Sequence, residues 1–579
     1  MVHHKLFNLT AISIIMEIFK QEVLKQLSKA TRLPLPQLSL LLETPPSPAL
    51  GDFAFPCHKL SKQLKQNPVD ITLLLAPKLH PTQLIERIEP KGPYINFFIN
   101  QAKLAELTIK EILKKRSAYG KSKIKKQTIL IEFPSPNTNK PLHLGHIRNI
   151  LLGSSLANLL KFQGHKVIKV NLNNDRGVHI CKSMLAYKLF GNNQPPNKKP
   201  DHFVGDFYVK FSQEAQKNPE LEQQAQEMLV NWESKDPETI RLWKLMNTWA
   251  LTGFQQTYKK FNLKFNKQYY ESQLYSRGKN IIFKALQQEI FQRDANNNII
   301  ADLEKYGMGK KVVLRQDNTS VYITQDIYLA YLKHQDYHPA RSIYIVASEQ
   351  DHHFKALFKI LELLSFKTST LHHLSYGMVY LPEGRMKSRE GTVVDADDLI
   401  DEVTLMAQEI LSAKHPELKD SQLTPRANNI GMAALTFFIL KYDPRHDFTY
   451  NPQASLSFEG ETGPYLQYTY ARIQSILKKT TFPKKALYSL LTEPSEKQII
   501  ILLQNYPKIM AEAAANYKLS ILPSYLIELS KAFNTLYHEL PILQSDPKTK
   551  AARLHLIKAV SIVLSSALAI LGISALEEM

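Results

Sequence analysis

The stretch that decides the fold runs from Thr128 to Val170 and reads TILIEFPSPNTNKPLHLGHIRNILLGSSLANLLKFQGHKVIKV. Thr128–Ile131 is a short apolar run that predicts a buried strand, and Lys166–Val170 predicts a second strand. Between them lies a loop rich in Ser, Pro and Asn, followed by a helical pattern from about Leu144. A strand, a helix and a strand in this order are typical of a parallel sheet.

The alternation of strand and helix continues beyond Val170, with one interruption. A polar, helix-forming insertion at about 191–265 separates two halves of the pattern. The other predicted elements are helices over 177–189, 326–333 and 352–364 and strands over 320–323, 342–347 and 375–380. Two such halves predict a Rossmann-like, doubly wound α/β domain over about 121–395, which would bind ligands beyond the carboxyl ends of its strands.

The remainder of the chain predicts further domains. Residues 1–15 are interpreted as an extension before a helix that starts at Met16. Short helices and strands predict an α+β domain over 16–112, and the basic stretch Lys114–Lys126 predicts a linker. The predicted helical parts are a connector over 396–455 and a domain over 456–579. The helix after Met16 has an apolar face made of Phe19, Val23, Leu24 and Leu27.

The composition limits the classes of function. The 579 residues carry a net charge of +20, from 73 Lys and Arg against 53 Asp and Glu, which indicates a polyanionic partner, either nucleic acid or an acidic membrane surface. The only two cysteines, Cys57 and Cys181, exclude a disulfide scaffold and a multi-cysteine zinc site, and they suit a reducing cytosol. No uninterrupted run of 18 apolar residues occurs, so we expect no membrane span.

The loop after the first strand carries a group of residues suited to polyphosphate binding. His143 and His146 stand three apart at a helix start, where free N–H groups and the helix dipole attract anions. Gly145 would let a flat ring approach the backbone, and Lys140 adds a positive charge. The alternatives are that the histidines only cap the helix or form a metal pair.

A second basic group follows the last predicted strand. Arg385-Met386-Lys387-Ser388-Arg389 lies between Gly384 and Gly391, which predicts a mobile basic loop able to close on a triphosphate. A solvated surface turn is the alternative. Neither a G-x-x-x-x-G-K-[ST] nor a G-x-G-x-x-G phosphate loop occurs in the chain.

These residues carry a family resemblance. His143-Leu144-Gly145-His146 resembles the HIGH motif of class I aminoacyl-tRNA synthetases, and Arg385–Arg389 resembles their KMSKS loop. Further segments narrow the resemblance to the arginyl-tRNA synthetase family, over about Met16 to Met579. These segments are Gly51–Pro56, Gly92–Phe97, Glu132–Asn137, Ser348–Phe354, Gly377–Tyr380 and Phe458–Tyr468.

The resemblance implies a fold and an activity. The fold would be a Rossmann catalytic domain, an N-terminal domain that contacts the tRNA elbow and a C-terminal helical domain that binds the anticodon. Arginine and ATP would form arginyl-adenylate and pyrophosphate, and arginine would then pass to the terminal ribose of its tRNA. ATP would bind with Mg²⁺, and no zinc is expected. We expect a cytoplasmic monomer with no membrane partner.

The resemblance also implies residue roles. The residues expected to bind ATP or its phosphates are Lys140, His143, Gly145, His146, Arg385, Met386, Lys387, Ser388 and Arg389. The residues expected to bind arginine are Ser135, Pro136, Asn137, His146, Glu271, Tyr322, Asp326 and Gln350. The residues expected to contact tRNA are Asn96, Tyr468, Tyr537 and Met579.

The basic loop departs from the family pattern. It has Ser388 where the second lysine of KMSKS stands, and that lysine is normally the important cation. Our hypothesis is that Lys140 supplies the missing charge. Asp326 has a plainer alternative as a helix N-cap, and each tRNA-contacting tyrosine could instead be buried. Two other functions stay open at this point, another class I synthetase and a non-catalytic RNA-binding protein derived from one.

Overall fold

The computed structural model describes residues 14–122, 124–380 and 394–579. The N-terminal part is a three-stranded antiparallel sheet in the order β1-β3-β2 with helices around it. Its elements are α1 (Ile14–Thr31), α2 (Leu35–Leu41), β1 (Phe53–Pro56), α3 (Ser61–Leu64), α4 (Pro68–Leu75), β2 (Ile85–Lys91), β3 (Tyr94–Ile99) and α5 (Gln101–Lys115). Gly51, just before β1, lies so close to β3 that a Cβ there would be 2.8 Å from the Phe97 carbonyl oxygen, so a side chain does not fit at this position.

Two predictions for this part need correction. The first helix begins at Ile14 and not at Met16, so the predicted extension reaches into α1; residues 1–13 lie outside the described residues. The linker predicted from Lys114 also starts too early, because α5 continues to Lys115 and places both lysines at its C-terminus, where the helix dipole favours cations. The predicted apolar face of α1 is confirmed by the burial of Phe19, Val23, Leu24 and Leu27.

The central part contains a five-stranded parallel sheet in the order β11-β10-β4-β5-β6. Its first half comprises β4 (Thr128–Glu132), α6 (Leu144–Phe162), β5 (Lys166–Asn173), α7 (Val178–Phe190), α8 (Pro200–Lys217), α9 (Glu220–Glu233), α10 (Pro237–Lys260) and β6 (Lys267–Tyr270). Its second half comprises α11 (Glu271–Gln287), β7 (Gln292–Arg293), β8 (Ile299–Asp302), β9 (Lys310–Leu314), α12 (Tyr322–Tyr337), β10 (Arg341–Ala347), α13 (Asp351–Leu363), β11 (Leu371–Tyr376) and β12 (Val379–Tyr380). This is the predicted doubly wound sheet.

The strand order reverses between β4 and β10, which places a ligand crevice at their carboxyl ends. Helix α6 covers β4 tightly, since a Cβ on Gly153 would lie 2.4 Å from the Phe133 ring. The loop after β4 and the turn after β10 therefore meet at one edge of the sheet.

Two predictions in the second half were wrong, and one small sheet was not predicted. Residues 320–323 are not a strand, because α12 begins at Tyr322 and the Thr324 hydroxyl accepts the Val321 N–H and donates to the Val313 carbonyl. The strand predicted over 375–380 is two strands, β11 and β12, separated by Gly377 and Met378. The antiparallel sheet β7-β8-β9 was missed.

The C-terminal part is almost entirely helical, as predicted. Its elements are α14 (Ala396–Lys414), α15 (Asp420–Leu440), β13 (Phe448–Thr449), α16 (Pro452–Ser455), α17 (Gly463–Lys478), α18 (Pro494–Asn516), α19 (Ile521–Glu539) and α20 (Pro547–Leu571). Among the described helices, α20 alone is long and apolar enough to cross a membrane. Since 78% of its most apolar window is buried inside the protein, α20 is a core helix of this bundle.

Candidate active site

His143 and His146 form the first turn of α6. His143 is the N-cap, and its Nδ1 accepts the Gly145 N–H at 3.1 Å; the Nδ1 of His146 accepts the His143 N–H at 3.1 Å. Their ring centroids are 3.9 Å apart. Because each Nδ1 accepts a backbone proton, each neutral ring carries its own proton on Nε2. The histidines thus do cap the helix, and capping leaves both Nε2–H groups as donors.

Both histidines are neutral at physiological pH. Burial lowers the pKa of His143 to about 3, with Lys140 lowering it further and Asp395 opposing. Burial also lowers the pKa of His146 well below its ordinary value, and the proximity of His143 and the charge of Lys140 act in the same direction. Positive charge at this corner must therefore come from other residues, and Lys140 lies on the same loop and borders the same cavity as His143.

The predicted arginine-binding acids meet beyond the carboxyl end of the sheet. Glu271 begins α11 and is 4% exposed, and among the described residues its Oε2 has no hydrogen-bond partner. Burial raises the pKa of Glu271 to about 8; Arg176 opposes this shift, while Asp175 and Asp326 add to it. A buried carboxylate oxygen without a partner is typical of a site that receives a cation or another donor.

Tyr322 and Asp326 stand one turn apart on α12. Tyr322 is 59% exposed, but partial desolvation and the nearby charges of Glu271 and Asp326 still raise the pKa of its hydroxyl. Glu271, Tyr322 and Asp326 therefore lie close enough for their charges to affect one another. The alternative that Asp326 is a helix N-cap is wrong, because Val321 occupies that position. Asp326 instead accepts a 2.7 Å hydrogen bond from His353 Nε2.

The loop after β4 is held open by two asparagines at the end of β5. Ser135 has a left-handed backbone (φ 55°) and donates its N–H to Asn171 Oδ1, while Asn174 donates its side chain to the Ser135 carbonyl and its N–H to the Pro136 carbonyl. Asn137 pairs with Asn174 in a parallel bridge. Gln350 is exposed in the turn after β10, at the same sheet edge.

Arg148 is a buried residue of α6 that sequence reasoning missed. Its guanidinium, 1% exposed, donates to five carbonyls, those of Gly377, Met378, Asp443, Pro444 and His446. The sole signal in the sequence was a charged residue two positions after His146, shortly before the apolar run Ile150–Leu152. Arg148 therefore ties the backbone before the predicted basic loop to the helix that presents His146.

The backbone after the predicted basic loop is also attached to this helix. Leu144 donates its N–H to Val394 at 3.2 Å, and Ala396 donates to Leu142 at 2.9 Å. The predicted loop residues Arg385, Met386, Lys387, Ser388 and Arg389 lie outside the described residues. The described chain on either side of them thus meets the start of α6.

One group of residues has the spacing of metal ligands within residues 14–122, 124–380 and 394–579. It consists of Asp201, His202 and Asp397. The Lys199 ammonium lies 2.7 Å from both Asp201 Oδ2 and Asp397 Oδ2. The Lys260 ammonium also lies 3.0 Å from Asp397 Oδ1. Lysine cations therefore already pair with these carboxylates, and the group joins α8 to α14 as an ion-pair network.

The predicted tRNA-contacting residues differ in their exposure. Tyr468 and Tyr537 are exposed, which excludes the buried alternative, and they flank Arg472, whose guanidinium carbon lies 4.6 and 4.9 Å from the two ring centroids. Met579 is partly buried against the helical core. Asn96 is 4% exposed in the central strand β3, so it offers little surface for a direct tRNA contact.

Comparison with known proteins agrees with this architecture. The family model for class I (R) tRNA synthetase catalytic domains matches residues 108–451, the DALR anticodon binding domain matches 466–579, and the arginyl tRNA synthetase N-terminal domain matches 17–99. The chain is thus a class I tRNA synthetase in both fold and domain content.

Similar proteins identify the particular family. An arginine–tRNA ligase of Treponema denticola is 44% identical and one of Treponema pallidum is 42% identical, over 93% and 96% of this chain and 94% and 98% of theirs. The chain belongs to the arginyl-tRNA synthetase family. Thermus thermophilus arginyl-tRNA synthetase shares the fold, with a TM-score of 0.75 and 24% identity over 93% of this chain and 96% of that one.

Proposed function

We propose that this chain joins arginine to tRNA in two steps at the carboxyl edge of its parallel sheet. In the first step a carboxylate oxygen of arginine attacks the α-phosphorus of ATP, and the bond to the leaving pyrophosphate breaks. In the second step a hydroxyl of the 3′-terminal ribose attacks the arginyl carbonyl and releases AMP. The observation that carries the proposal is the buried Glu271, whose Oε2 has no hydrogen-bond partner among the described residues, close to Tyr322 and Asp326.

We assign the guanidinium of the substrate to these three residues. A guanidinium presents five donors, and carboxylates in a partly dry site bind it through charge-assisted hydrogen bonds. A bound cation would favour the ionised form of Glu271 and offset the cost of its burial. Ser135, Pro136, Asn137 and Gln350, at the adjoining edge, would hold the α-amino and α-carboxylate groups.

We assign ATP to the start of α6. The two Nε2–H groups of His143 and His146 would donate to phosphate oxygens without carrying charge. Gly145 makes room for the His143 ring, since a Cβ at Gly145 would lie 3.0 Å from the His143 Cε1. Lys140, the predicted basic loop and Mg²⁺ would supply the positive charge that stabilises the transition state. Little covalent work falls to the protein, which mainly positions its substrates.

We assign tRNA to the flanking domains. The proposed divisions are 16–112 for the elbow-contacting domain, 121–395 for the catalytic domain, 396–455 for the connector and 456–579 for the anticodon-binding domain. Exposed Tyr468 and Tyr537 would stack on unpaired bases, with Met579 nearby in the same domain. We place the enzyme in the cytoplasm as a monomer that requires neither zinc nor a membrane.

A charging assay tests this function. The full-length chain, ATP, Mg²⁺ and a tRNA with an arginine anticodon should transfer labelled arginine to the tRNA. Pyrophosphate exchange across the amino acids, with and without tRNA, should be selective for arginine. Exchange with a different amino acid would identify another class I synthetase. Binding of tRNA without any exchange or charging would identify a non-catalytic RNA-binding protein and would contradict the proposal.

A further inference from the structure

A basic cleft lies outside the candidate active site, between α5, the segment before α18 and the start of α20. Its volume is about 640 Å³. The residues that line it include four lysines and an imidazole, Lys110, Lys484, Lys485, Lys548 and His555. Its remaining wall is apolar or aromatic, with Leu113, Leu487 and Tyr488 among the lining residues.

The charge of the cleft is largely unneutralised. Among the described residues, Lys484, Lys485 and Lys548 have no carboxylate within ion-pair distance, whereas Lys110 pairs with Glu106. Asp546 is the acid near Lys548, and its carboxylate accepts the N–H groups of Lys548 and Thr549 as the cap of α20. A concave surface with uncompensated lysines attracts anions.

His555 holds the lysine-bearing segment in place. Its ring is buried, its Nε2 lies 2.9 Å from the Pro483 carbonyl, and its Nδ1 lies 2.9 Å from the Tyr488 hydroxyl. The carbonyl requires the proton on Nε2, so Nδ1 accepts from the tyrosine. The Phe482 ring stacks on the same imidazole with centroids 4.8 Å apart.

One side chain therefore fixes both ends of the segment 483–488, and Lys484 and Lys485 lie between these two attachments. Burial lowers the pKa of His555, which keeps the ring neutral and preserves this donor and acceptor pattern. Preorganised cations lose less entropy on binding than lysines on a free loop do.

We propose that this cleft binds the phosphodiester backbone of the tRNA substrate, as a contact separate from the bases read near Tyr468 and Tyr537. The proposal rests on the proposed function for the identity of the RNA. The positive charge of the cleft suits a polyanion. The lysines that line the cleft can pair with phosphates, but they do not form a pattern of donors and acceptors that would distinguish one base from another. Such a contact would add affinity without sequence preference, since phosphate contacts carry no base information.

The test compares tRNA binding by full-length variants at low and moderate salt. The double variant K484Q/K485Q should raise the Kd for tRNA about tenfold at low salt and flatten the dependence of log Kd on log salt by about one to two charges. The KM for tRNA should rise in parallel, while kcat at saturating tRNA stays unchanged. The matched control K284Q/K367Q removes two exposed lysines of the catalytic domain and should have a much smaller effect.

A second variant separates the geometry from the charge. H555F removes both hydrogen bonds but none of the lysines, and it should also weaken tRNA binding, provided that circular dichroism shows a folded chain. Because Lys484 and Lys485 are exposed, the lysine variant tests the proposal even where H555F does not fold.

Three results would overturn the inference. K484Q/K485Q could bind tRNA like the wild type while the wild type charges tRNA with arginine, which would refute the cleft alone. The control could weaken binding equally, which would show a general charge effect. Inorganic tripolyphosphate could bind with sensitivity to K484Q/K485Q while tRNA binding is unchanged, which would show a small-anion site. A wild-type chain that does not charge tRNA at all would refute the proposed function itself.

Discussion

Lys333 and Glu132 form a buried ion pair, with Nζ 2.8 Å from Oε2 and side chains 1% and 8% exposed. Glu132 ends the central strand β4 and leads into the loop of Ser135 and Asn137, and Lys333 belongs to α12, the helix of Tyr322 and Asp326. The pair therefore connects the loop proposed to hold the α-carboxylate of arginine to the helix proposed to hold its guanidinium.

Breaking this pair from one side should destabilise the protein strongly. Lys333→Met leaves Glu132 as an uncompensated buried charge, which should cost about 3–5 kcal/mol in the free energy of unfolding, measured by urea denaturation. The double variant K333M/E132Q removes both charges and should recover much of that loss. Equal destabilisation in the single and double variants would show that the pair is not coupled.

Removing a carboxylate from the proposed arginine pocket should impair arginine use selectively. Asp326→Asn and Glu271→Gln should each lower kcat/KM for arginine by about 100-fold, since a desolvated charged hydrogen bond contributes about 2–5 kcal/mol. KM for ATP should change little. The surface variant Asp294→Asn serves as control. Wild-type kcat/KM for arginine in D326N would rule out the proposed role of Asp326.

The acid Glu271 should make arginine binding and stability depend on pH in opposite directions. Arginine is cationic throughout and prefers the ionised carboxylate, so the Kd for arginine should fall as pH rises towards about 8. The pKa of Glu271 is raised in the folded state, so the ligand-free protein binds more protons than the unfolded chain between about pH 4.3 and 8, and this group makes stability fall as pH rises. In E271Q, the Kd for arginine from calorimetry and the free energy of unfolding from denaturation should both depend less on pH. A Kd for arginine that depends on pH as in the wild type would contradict the proposed role of Glu271.

Lys140 should contribute charge to arginine activation. Lys140→Ala should lower the rate of pyrophosphate exchange by at least tenfold, which corresponds to about 1.4 kcal/mol. Lys198→Ala is a matched control, because Lys198 is a second lysine that lines the same cavity. A smaller loss in K140A, or an equal loss in K198A, would show that Lys140 does not replace the missing loop lysine.

Local sequence patterns predicted the parts of the fold that have long, regular periods. The strands β4, β5 and β10 and the helices α6, α7 and α13 lie where the apolar pattern indicated. Residues 320–323 misled the prediction because Val, Tyr and Ile favour strands, while the start of α12 depends on a bond from Thr324 to distant Val313. The strands β7, β8 and β9 have two to five residues each, too few to show alternation.

The sequence predicted the site residues that lie in recognisable motifs, but it did not predict those contacts that join residues distant in the sequence. The roles of His143, His146, Tyr322 and Asp326 came from the family resemblance. The proximity of Glu271 to Asp326 depends on the packing of α11 against α12. The support of Ser135 by Asn171 and Asn174 depends on a neighbouring strand that lies 36 and 39 residues away. Such a partnership leaves no local pattern in the sequence.

The five carbonyls that accept hydrogen bonds from Arg148 belong to two stretches of backbone that are distant in the sequence. Residues 377–378 and 443–446 are both bound by the guanidinium of Arg148. Arg148 lies about half a turn of helix beyond His146. A small rotation or slide of α6 would accordingly carry both stretches along with the histidine rings. The position of both stretches relative to the histidines of the proposed nucleotide site thus depends on this one side chain.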